Sequence, residues 1–349
     1  MKKIIKLFSA ILLLSITQQH VFAQNDNDNK NDNNKKYEFV KNKSYVKSYA
    51  VSASDKLDIK NRFGGVEIHT WNKNEIKVDV DIKITAQTAE WAASVLDDIQ
   101  VEDNEAGNTV SFKTMFVEDL DKKEGKKKGS QRMDKYKNKN SHQTMEVNYT
   151  VYMPETNGLK VENEFGPINI PDFKGEIEAN SKFGSLNIGA APNIKKAVVE
   201  FGKGVFGNIA NCTVNIKFSK SEFKKISGNM KLYFDFSDAA KINFDNSLTS
   251  LQVSSSYSTV NLRPSNDLPA SYTIRTNYGS FINRSAIKFE DDYDRADKSP
   301  KFDFKYTGKS GIGSVQVNAS TDYGKIILGE PGADDMKDKG KNKLKTRTT

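Results

Sequence analysis

The chain has 349 residues, of which 28% are charged, a formal net charge of +8 and a single cysteine, Cys212. One cysteine excludes an intramolecular disulfide, so buried apolar surface must hold the fold. Three of the positive charges lie in the first 23 residues, residues 118–141 carry a net +4 and residues 331–349 a net +3, which leaves −2 on the rest. Because a nucleic-acid-binding face needs basic residues on the folded part, this pattern argues against one.

The first 23 residues have the pattern of a cleavable signal peptide. Three lysines precede an apolar run from Leu7 to Ile16, and "VFA" supplies the residues that signal peptidase accepts. The apolar run is shorter than the ~20 residues that span a bilayer. We therefore expect cleavage after Ala23, export to the periplasm or the cell surface, and no transmembrane anchor in the mature chain.

Residues 24–36, "QNDNDNKNDNNKK", contain no apolar residue, and we expect a disordered spacer there. A β-rich region is expected over 37–154. Within it, "IKVDVDIKI" at 76–84 alternates apolar and charged residues, which predicts a half-buried strand.

One helix is predicted at about 86–100, because Trp91, Val95 and Ile99 recur at helical spacing and Thr85 or Thr88 can cap it. The segments "NTVSFKTMF" and "TMEVNYTVYMP" are predicted to pair as a hairpin around the basic loop 118–141. The run of charges in that loop favours a solvated insertion over a binding arm. The basic end, 330–349, is expected to be a disordered tail.

The strongest pattern is a repeated corner, an aromatic residue followed by a small one. Spacings between successive corners from Phe165 are 18, 18, 17, 18, 21, 21 and 45 residues. Apolar residues recur at offsets −6, −4, +3 and +5 from the aromatic, so each unit holds two short strands that meet at a bend. The corners are Phe63-Gly64, Phe165-Gly166, Phe183-Gly184, Phe201-Gly202, Phe218-Ser219, Phe236-Ser237, Tyr257-Ser258, Tyr278-Gly279 and Tyr323-Gly324.

A repeat of 18–21 residues with two strands predicts an all-β fold in which 155–329 forms a β-solenoid, one unit per coil. The aromatics would then form an internal ladder, with Phe165, Phe183, Tyr257 and Tyr323 buried. The 45-residue gap would hide one coil interrupted by "FEDDYDRADKSPKF". The alternative is an antiparallel β-sandwich with aromatic corners.

The stretch from Leu57 to Trp71, which fits L-x-I-x-N-x-F-G-x-V-x-I-x-x-W, resembles a bacterial family of exported β-strand-repeat proteins labelled "putative adhesins". Many of its members are domains of unknown function. The resemblance runs from about Tyr45 to Leu328. It implies an all-β repeat fold and an adhesin-like role, and it supplies no catalytic motif.

The sequence offers little for catalysis or cofactor binding. The mature chain keeps two histidines: His69 is expected on the surface, and His142 adjoins the basic loop. Cys212 lies at an inward position of the repeat and is expected in the core. These residues fit neither a nucleophilic triad nor a zinc site. Core packing is favoured over a sugar platform for Trp71 and Trp91.

The best acidic cluster lies near residue 290, where loop carboxylates could hold calcium as hard oxygen ligands. A solvated loop is the favoured interpretation, because the EF-hand glycine and terminal glutamate are missing. We therefore expect no cofactor and no catalytic residue. The weak calcium candidates are Asp291, Asp292, Asp294 and Asp297.

These observations predict a non-enzymatic, exported cell-envelope protein, an adhesin-like binding or structural module whose partner is a protein or a glycan. One alternative is a periplasmic accessory of an envelope signalling system. Another is a polysaccharide-active β-solenoid enzyme, since strand-surface carboxylates are plentiful.

Overall fold

The computed structural model describes residues 39–116, 144–292, 300–332 and 335. The predicted signal peptide, the spacer 24–36, the basic loop 118–141, His142, Asp294, Asp297 and most of the predicted tail lie outside these residues. The described chain is all-β with one helix, and its strands pair both in parallel and antiparallel. No helix in the described ranges has the length and apolarity needed to cross a membrane.

The chain divides into two compact units, with the boundary between Pro171 and Asp172. In its described residues, unit 1 contains one helix and nine strands. These are β1 (Phe39–Ala50), β2 (Lys56–Arg62), β3 (Val66–Trp71), β4 (Glu75–Ala86), α1 (Ala89–Asp97), β5 (Ile99–Ala106), β6 (Thr109–Phe116), β7 (Thr144–Pro154), β8 (Gly158–Glu164) and β9 (Ile168–Ile170).

Strand β4 confirms the prediction made from its alternation. All five of its predicted apolar positions, from Ile76 to Ile84, are at most 1% exposed, while the residues between them are exposed or half-buried. β4 pairs antiparallel with β1 on one side and with β7 on the other. It is therefore a central strand with one face on the core.

Helix α1 is present but shorter than predicted. Thr88 is the N-cap, and its hydroxyl oxygen accepts a hydrogen bond from the Trp91 amide at 3.2 Å. Val95 is buried as expected, whereas Ile99 already begins β5 and is fully buried there. The helical spacing therefore ran past the end of the helix, because a buried strand residue happened to continue the pattern.

The predicted hairpin between "NTVSFKTMF" and "TMEVNYTVYMP" is wrong. Both segments are strands, but β6 pairs with β5 antiparallel and with β2 in parallel. β7 instead pairs with β4 antiparallel and with β3 in parallel. Adjacency in sequence suggested a hairpin, whereas each of the two strands pairs with strands that precede both of them in the chain.

The described part of unit 2 contains fourteen strands. These are β10 (Ile177–Lys182), β11 (Ser185–Ile188), β12 (Ile194–Glu200), β13 (Lys203–Ala210), β14 (Thr213–Lys217), β15 (Lys220–Asp235), β16 (Asp238–Ser256), β17 (Thr259–Pro264), β18 (Ala270–Asn277), β19 (Ser280–Asn283), β20 (Phe289–Asp291), β21 (Asp303–Lys309), β22 (Val315–Asp322) and β23 (Lys325–Leu328).

Consecutive repeat units of unit 2 pair in parallel, with a register equal to the repeat spacing. Ala179 pairs with Ala197, which in turn pairs with Val214. The strands before the corners form one such series, β10, β12, β14 and the second halves of β15 and β16. The strands after the corners form another, through β11, β13 and the first halves of β15 and β16. An antiparallel sandwich does not predict this pairing.

The last repeat unit does not follow chain order in space. Strand β22 lies between β16 and β18 and pairs in parallel with both. Strand β23 lies in the same way between β17 and β19. The repeat unit of Tyr323 therefore lies in space between those of Tyr257 and Tyr278, although it follows both in sequence.

The 45-residue gap does not contain a hidden parallel coil in its described part. Strand β21 pairs antiparallel with β18 and with β20. It thereby covers the edge of β18 that the parallel series would leave open, which is how sheets avoid edge-to-edge association. Spacing alone suggested a coil because it cannot distinguish an inserted hairpin from an interrupted repeat.

Candidate interaction surface

All nine aromatic corners lie in the left-handed region of backbone space. Their φ values run from 46° at Phe236 to 64° at Phe63. A residue with a Cβ atom pays roughly 1 kcal/mol for this conformation, so nine aromatic examples need a compensating interaction. Each corner therefore repeats a strained backbone conformation as well as an aromatic ring.

This conformation turns each corner ring outward. Ser181 is fully buried, and strict strand alternation would place Phe183 beside it in the core. Phe183 is instead 43% exposed, because the positive φ reverses the direction of its side chain. The expected internal ladder is wrong: Phe165, Tyr257 and Tyr323 are also about half exposed.

In unit 2 the outward rings form one continuous stack. Neighbouring centroids lie 4.7–5.2 Å apart, and neighbouring ring planes differ by only 4–13°. We call this stack the aromatic ladder. Its members, in spatial order, are Phe183, Phe201, Phe218, Phe236, Tyr257, Tyr323, Tyr278 and Phe302.

The spacing between rings follows from the sheet. Parallel strands repeat every ~4.8 Å, which is close to the separation that stacked rings prefer. Phe302, which is not a corner, stacks on Tyr278 at 4.7 Å and extends the ladder beyond the last repeat. Because the ring faces contact one another, the ladder presents its ring edges to solvent.

The glycine after the ring is required by the close approach of neighbouring units. A Cβ atom on Gly202 would lie 1.7 Å from the Gly184 carbonyl oxygen, and one on Gly166 would lie 1.9 Å from that of Gly64. No side chain fits at such distances. Gly279 and Gly324 also approach each other, at 2.8 Å from an added Cβ on Gly279 to the Gly324 oxygen.

Where serine replaces this glycine, its hydroxyl group forms part of the corner. Ser219 Oγ accepts a hydrogen bond from the Gly202 amide at 2.9 Å and donates to the Lys217 carbonyl at 2.6 Å. Ser258 Oγ accepts in the same way from the Ser237 amide at 2.9 Å. The serines thus satisfy buried backbone donors of the preceding unit.

A shallow cleft of about 350 Å³ lies along the ladder, between the rings of Phe201, Phe218 and Phe236. Lys220 borders it, beside Gly202 and Ser219. The cleft combines apolar ring edges with one cation and has no catalytic pair.

Charged residues line the ladder on the side of the preceding strands. The residue before each ring points outward: Lys182 places its ammonium 5.5 Å from the Phe183 ring centroid, and Lys217 lies 3.5 Å from Glu200. We call this series the flanking row. In spatial order it reads Lys182, Glu200, Lys217, Asp235, Ser256, Asp322 and Asn277.

Unit 1 has a smaller stack of the same kind. Phe63 and Phe165 stack with centroids 5.3 Å apart and planes 6° apart, and Phe116 meets Phe63 edge-on at 5.6 Å. The Arg62 guanidinium lies 5.3 Å from the Phe63 centroid and 3.3 Å from a Glu164 carboxylate oxygen. In both units, therefore, corner rings stack on one another and a cation lies beside a corner ring.

A second aromatic cluster lies on the outer face of unit 1. Tyr152 stacks with His69 at 5.1 Å and lies tilted against Trp71 at 5.4 Å, and the Lys73 ammonium lies 4.7 Å from the centroid of the Trp71 ring. Trp71 is half-buried instead of in the core, and so is Trp91. His69 lies on the outer face as predicted, although its contact with Tyr152 leaves it half-buried.

Asp103 is the centre of a polar cluster near β1. It accepts hydrogen bonds from the hydroxyl groups of Tyr45 and Tyr49, and Lys47 lies 3.6 Å away. Partial burial acts to raise the pKa of Asp103, but the two tyrosine hydrogen bonds and Lys47 outweigh it, so the pKa lies below its ordinary value. The same burial and contact with Asp103 raise the pKa of Tyr45 and of Tyr49.

Cys212 is buried as predicted, with its thiol 3.6 Å from the Met230 sulfur. Burial raises the pKa of Cys212 to about 12, so the thiol stays protonated at neutral pH.

The described part of the acidic loop contains two of the four calcium candidates, Asp291 and Asp292. Asp292 is exposed and accepts hydrogen bonds from the Lys305 amide at 3.0 Å and from the Lys301 ammonium at 3.1 Å. These bonds hold its pKa below the ordinary value. Asp291 is also exposed. Across the described ranges, no group of three or more histidine, cysteine or acidic residues is placed to hold a metal.

No family model and no curated protein matches the chain. Solved structures do, at low similarity. One is described as a putative cell adhesion protein from Clostridium sporogenes, with 12% identity, a TM-score of 0.21, and 83% of this chain and 100% of that chain covered. Another, a putative adhesin from Bacteroides fragilis, has 12% identity, a TM-score of 0.35, and 82% and 97% covered.

A third solved structure is described as a putative lipid binding protein from Parabacteroides distasonis, with 8% identity, a TM-score of 0.31, and 82% of this chain and 97% of that chain covered. The names of the first two agree with the resemblance to exported bacterial adhesins seen in the sequence. At these TM-scores, none of the three supports an argument about what this chain binds.

Proposed function

We propose that this protein is a non-enzymatic module of the bacterial cell envelope, exported through its N-terminal signal peptide, which binds or supports an envelope partner. The observation that carries the proposal is the aromatic ladder, a regular apolar ridge displayed on parallel-paired repeat units. Soluble proteins rarely expose a long contiguous apolar stripe unless another molecule contacts it.

We further propose that residues 155–329 form a β-solenoid. The parallel pairing of consecutive units, with the register of the sequence repeat, supports this architecture. In a solenoid, each coil contacts only its neighbours, so the corners fall in line and build one long surface. Residues 37–154 then form the N-terminal β-rich region with the helix and the basic loop.

The partner is proposed to be a protein or a glycan of the envelope. The outer strand faces alternate lysine, glutamate and asparagine, and the ladder adds ring edges beside them. Such a surface offers hydrogen-bond and apolar contacts over a long, straight track, which suits an extended partner.

The proposal is tested by determining where the protein lies in the cell. Intact cells would be treated with trypsin and compared with cells whose outer membrane has been opened, using an antibody to the full chain and a periplasmic marker as the control for leakage. The lysine-rich stretch 118–141 supplies many cleavage sites. Cleavage on intact cells supports an adhesin-like role at the surface.

Protection until the outer membrane is opened would instead favour a periplasmic accessory of a signalling system. Recovery of the uncleaved chain in the cytoplasm would contradict the proposal altogether. The enzymatic alternative is tested separately, with a panel of acidic polysaccharides incubated with the mature chain and calcium. Chain cleavage that depends on the protein would overturn the non-enzymatic assignment.

A further inference from the structure

The aromatic ladder has the size of a protein interface. The six rings from Phe183 to Tyr323 are each about half exposed. Since an aromatic side chain has about 150–250 Å² of surface to bury, these rings alone offer roughly 450–750 Å². A standard interface buries about 800 Å² on each partner, so the ladder and its two borders reach that size together.

We infer that the partner of the ladder is a second copy of this chain, packed ladder against ladder in antiparallel orientation, with the two-fold axis between Phe218 and Phe236. In this arrangement the rings of one copy meet those of the other in three symmetric pairs of positions. These are Phe218 with Phe236, Phe201 with Tyr257, and Phe183 with Tyr323.

The flanking row supports this arrangement because it is self-complementary about the same axis. A two-fold axis perpendicular to the ladder places the row of one copy beside the same row of the other, in reverse order. Lys217 then faces Asp235 of the other copy, and Lys182 faces Asp322. Glu200 faces the neutral Ser256, so no like charges meet.

The residues on the other border of the ladder favour this position of the two-fold axis over positions one ring away. Lys203 and Lys220 lie two residues after their rings, and both are exposed. With the axis between Phe218 and Phe236, Lys203 faces Thr259. Moving the axis one ring toward the N-terminus would place Lys203 against Lys220, and like charges in an interface are strongly unfavourable.

Moving the axis one ring the other way would set Lys220 against Lys325, again two cations. A parallel arrangement, with the axis along the ladder, would bring Lys217 against Lys220. An anionic lipid surface fits less well than a second copy, because the flanking row carries acidic as well as basic residues, including Glu200 and Asp235.

The first experiment measures association of the mature chain, residues 24–349, by sedimentation velocity over a concentration series. We expect a monomer–dimer equilibrium. Replacing Phe218 and Phe236 together by Asn, which tolerates positive φ, should raise the dimer Kd at least tenfold. Tyr233→Asn is the matched control: Tyr233 is 37% exposed in the same unit but is not part of the ladder. It should leave the Kd unchanged.

The second experiment tests the orientation and does not depend on the ring variants folding. Lys182 and Asp322 lie five rungs apart in one chain, roughly 25 Å, too far for a disulfide. In the proposed dimer they face each other across the axis. The combination of Lys182→Cys and Asp322→Cys should therefore give a covalent dimer on a non-reducing gel, whereas each single variant should not.

A charge exchange completes the test. Lys182→Glu should weaken the dimer, and adding Asp322→Lys should restore it. The inference is overturned if the chain is monomeric at every concentration, if loss of the two rings leaves the dimer intact, or if the cysteine pair fails to cross-link. Ring-dependent binding to anionic vesicles by a monomeric chain would also overturn it, in favour of a lipid surface.

This inference assigns the ladder to a second copy and leaves the outer strand faces for the envelope partner, and it holds whatever the location of the protein. Failure of the self-association tests would leave the proposed envelope function standing, and failure of the location experiment would leave the dimer standing.

Discussion

Phe201 and Phe218 stack with their ring centroids 4.8 Å apart and their planes 4° apart, although each has a positive φ. The same pairing repeats along unit 2, so the energy of stacking offsets the strain of the corners one unit at a time. Aromatic pairs are worth about 0.5–1.5 kcal/mol beyond burial, and each inner ring has two neighbours.

Substituting an inner ring should separate strain from stacking. Phe201→Ala removes two stacking contacts and keeps the strained φ, so we expect a loss of about 2 kcal/mol in the free energy of unfolding. Phe201→Gly removes the same contacts but relieves the strain, so its loss should be about 1 kcal/mol smaller. Urea unfolding measures both. Equal losses would show that the positive φ carries no strain here.

The close approach of corner glycines predicts a severe effect at Gly202. Gly202→Ala would place a methyl group 1.7 Å from the Gly184 carbonyl oxygen, which forces neighbouring units apart. We expect a loss of about 2–4 kcal/mol. Gly65→Ala is the control, because its added Cβ would meet nothing nearer than 3.4 Å and should change stability little. Similar melting temperatures for the two variants would contradict the close packing of the corner backbones.

Cys212 predicts a pH dependence of stability. Burial raises its pKa in the folded protein to about 12, from an ordinary value of 9.0. Its contribution is therefore complete below about pH 9 and is lost as the pH rises toward 12, because only the unfolded chain ionises in that window. At pH 10 the loss should be about 1.4 kcal/mol.

The measurement compares urea unfolding of the natural chain and of Cys212→Val between pH 8 and pH 10. The difference between the two proteins should shrink or reverse in favour of the variant as the pH rises, since all other titrating groups are shared. A difference that is constant across this range would show that the thiol reaches water in the folded state.

The inserted position of β22 and β23 predicts that the C-terminal repeat unit is essential. Truncation after Ser314 removes both strands and leaves β16 and β18 without their shared neighbour. We expect loss of cooperative unfolding and aggregation through the open edges. Truncation after Asp335 keeps both strands and the Arg284–Asp335 ion pair, whose two hydrogen bonds are 2.8 Å long, and should unfold like the full chain.

Light scattering and thermal unfolding distinguish the two truncations. If truncation after Ser314 left a soluble protein with an unchanged transition, β22 and β23 would be peripheral, and the interleaved order of the units would be wrong.

Much of the local structure was predictable because it depends on side-chain alternation. The apolar positions of β4 and the strand residues around each corner repeat with a period of two, and burial follows that period wherever the backbone stays extended. The burial of Cys212 followed from its place in the same pattern. The family resemblance came from the same residues, since the corner motif is the repeat itself.

The outward direction of the rings was not predictable from alternation, because one positive φ reverses which face a residue occupies. The use of tyrosine at 257, 278 and 323 was a signal of partial exposure, as a tyrosine hydroxyl group needs water or a partner. Together with the small or polar residues at −2, such as Ser181 and Ser255, it could have placed the rings outside.

The strands, the period and the position of each corner follow from the order of residues, since these depend on neighbours along the chain. The stacking of Tyr323 between Tyr257 and Tyr278, and the pairing of β21 along the edge of β18, are visible only in the folded chain. The reason is physical: every corner offers the same ring at the same spacing, so local chemistry fits any order of stacking. The choice among these orders depends on which strand edges remain open once the whole chain has folded.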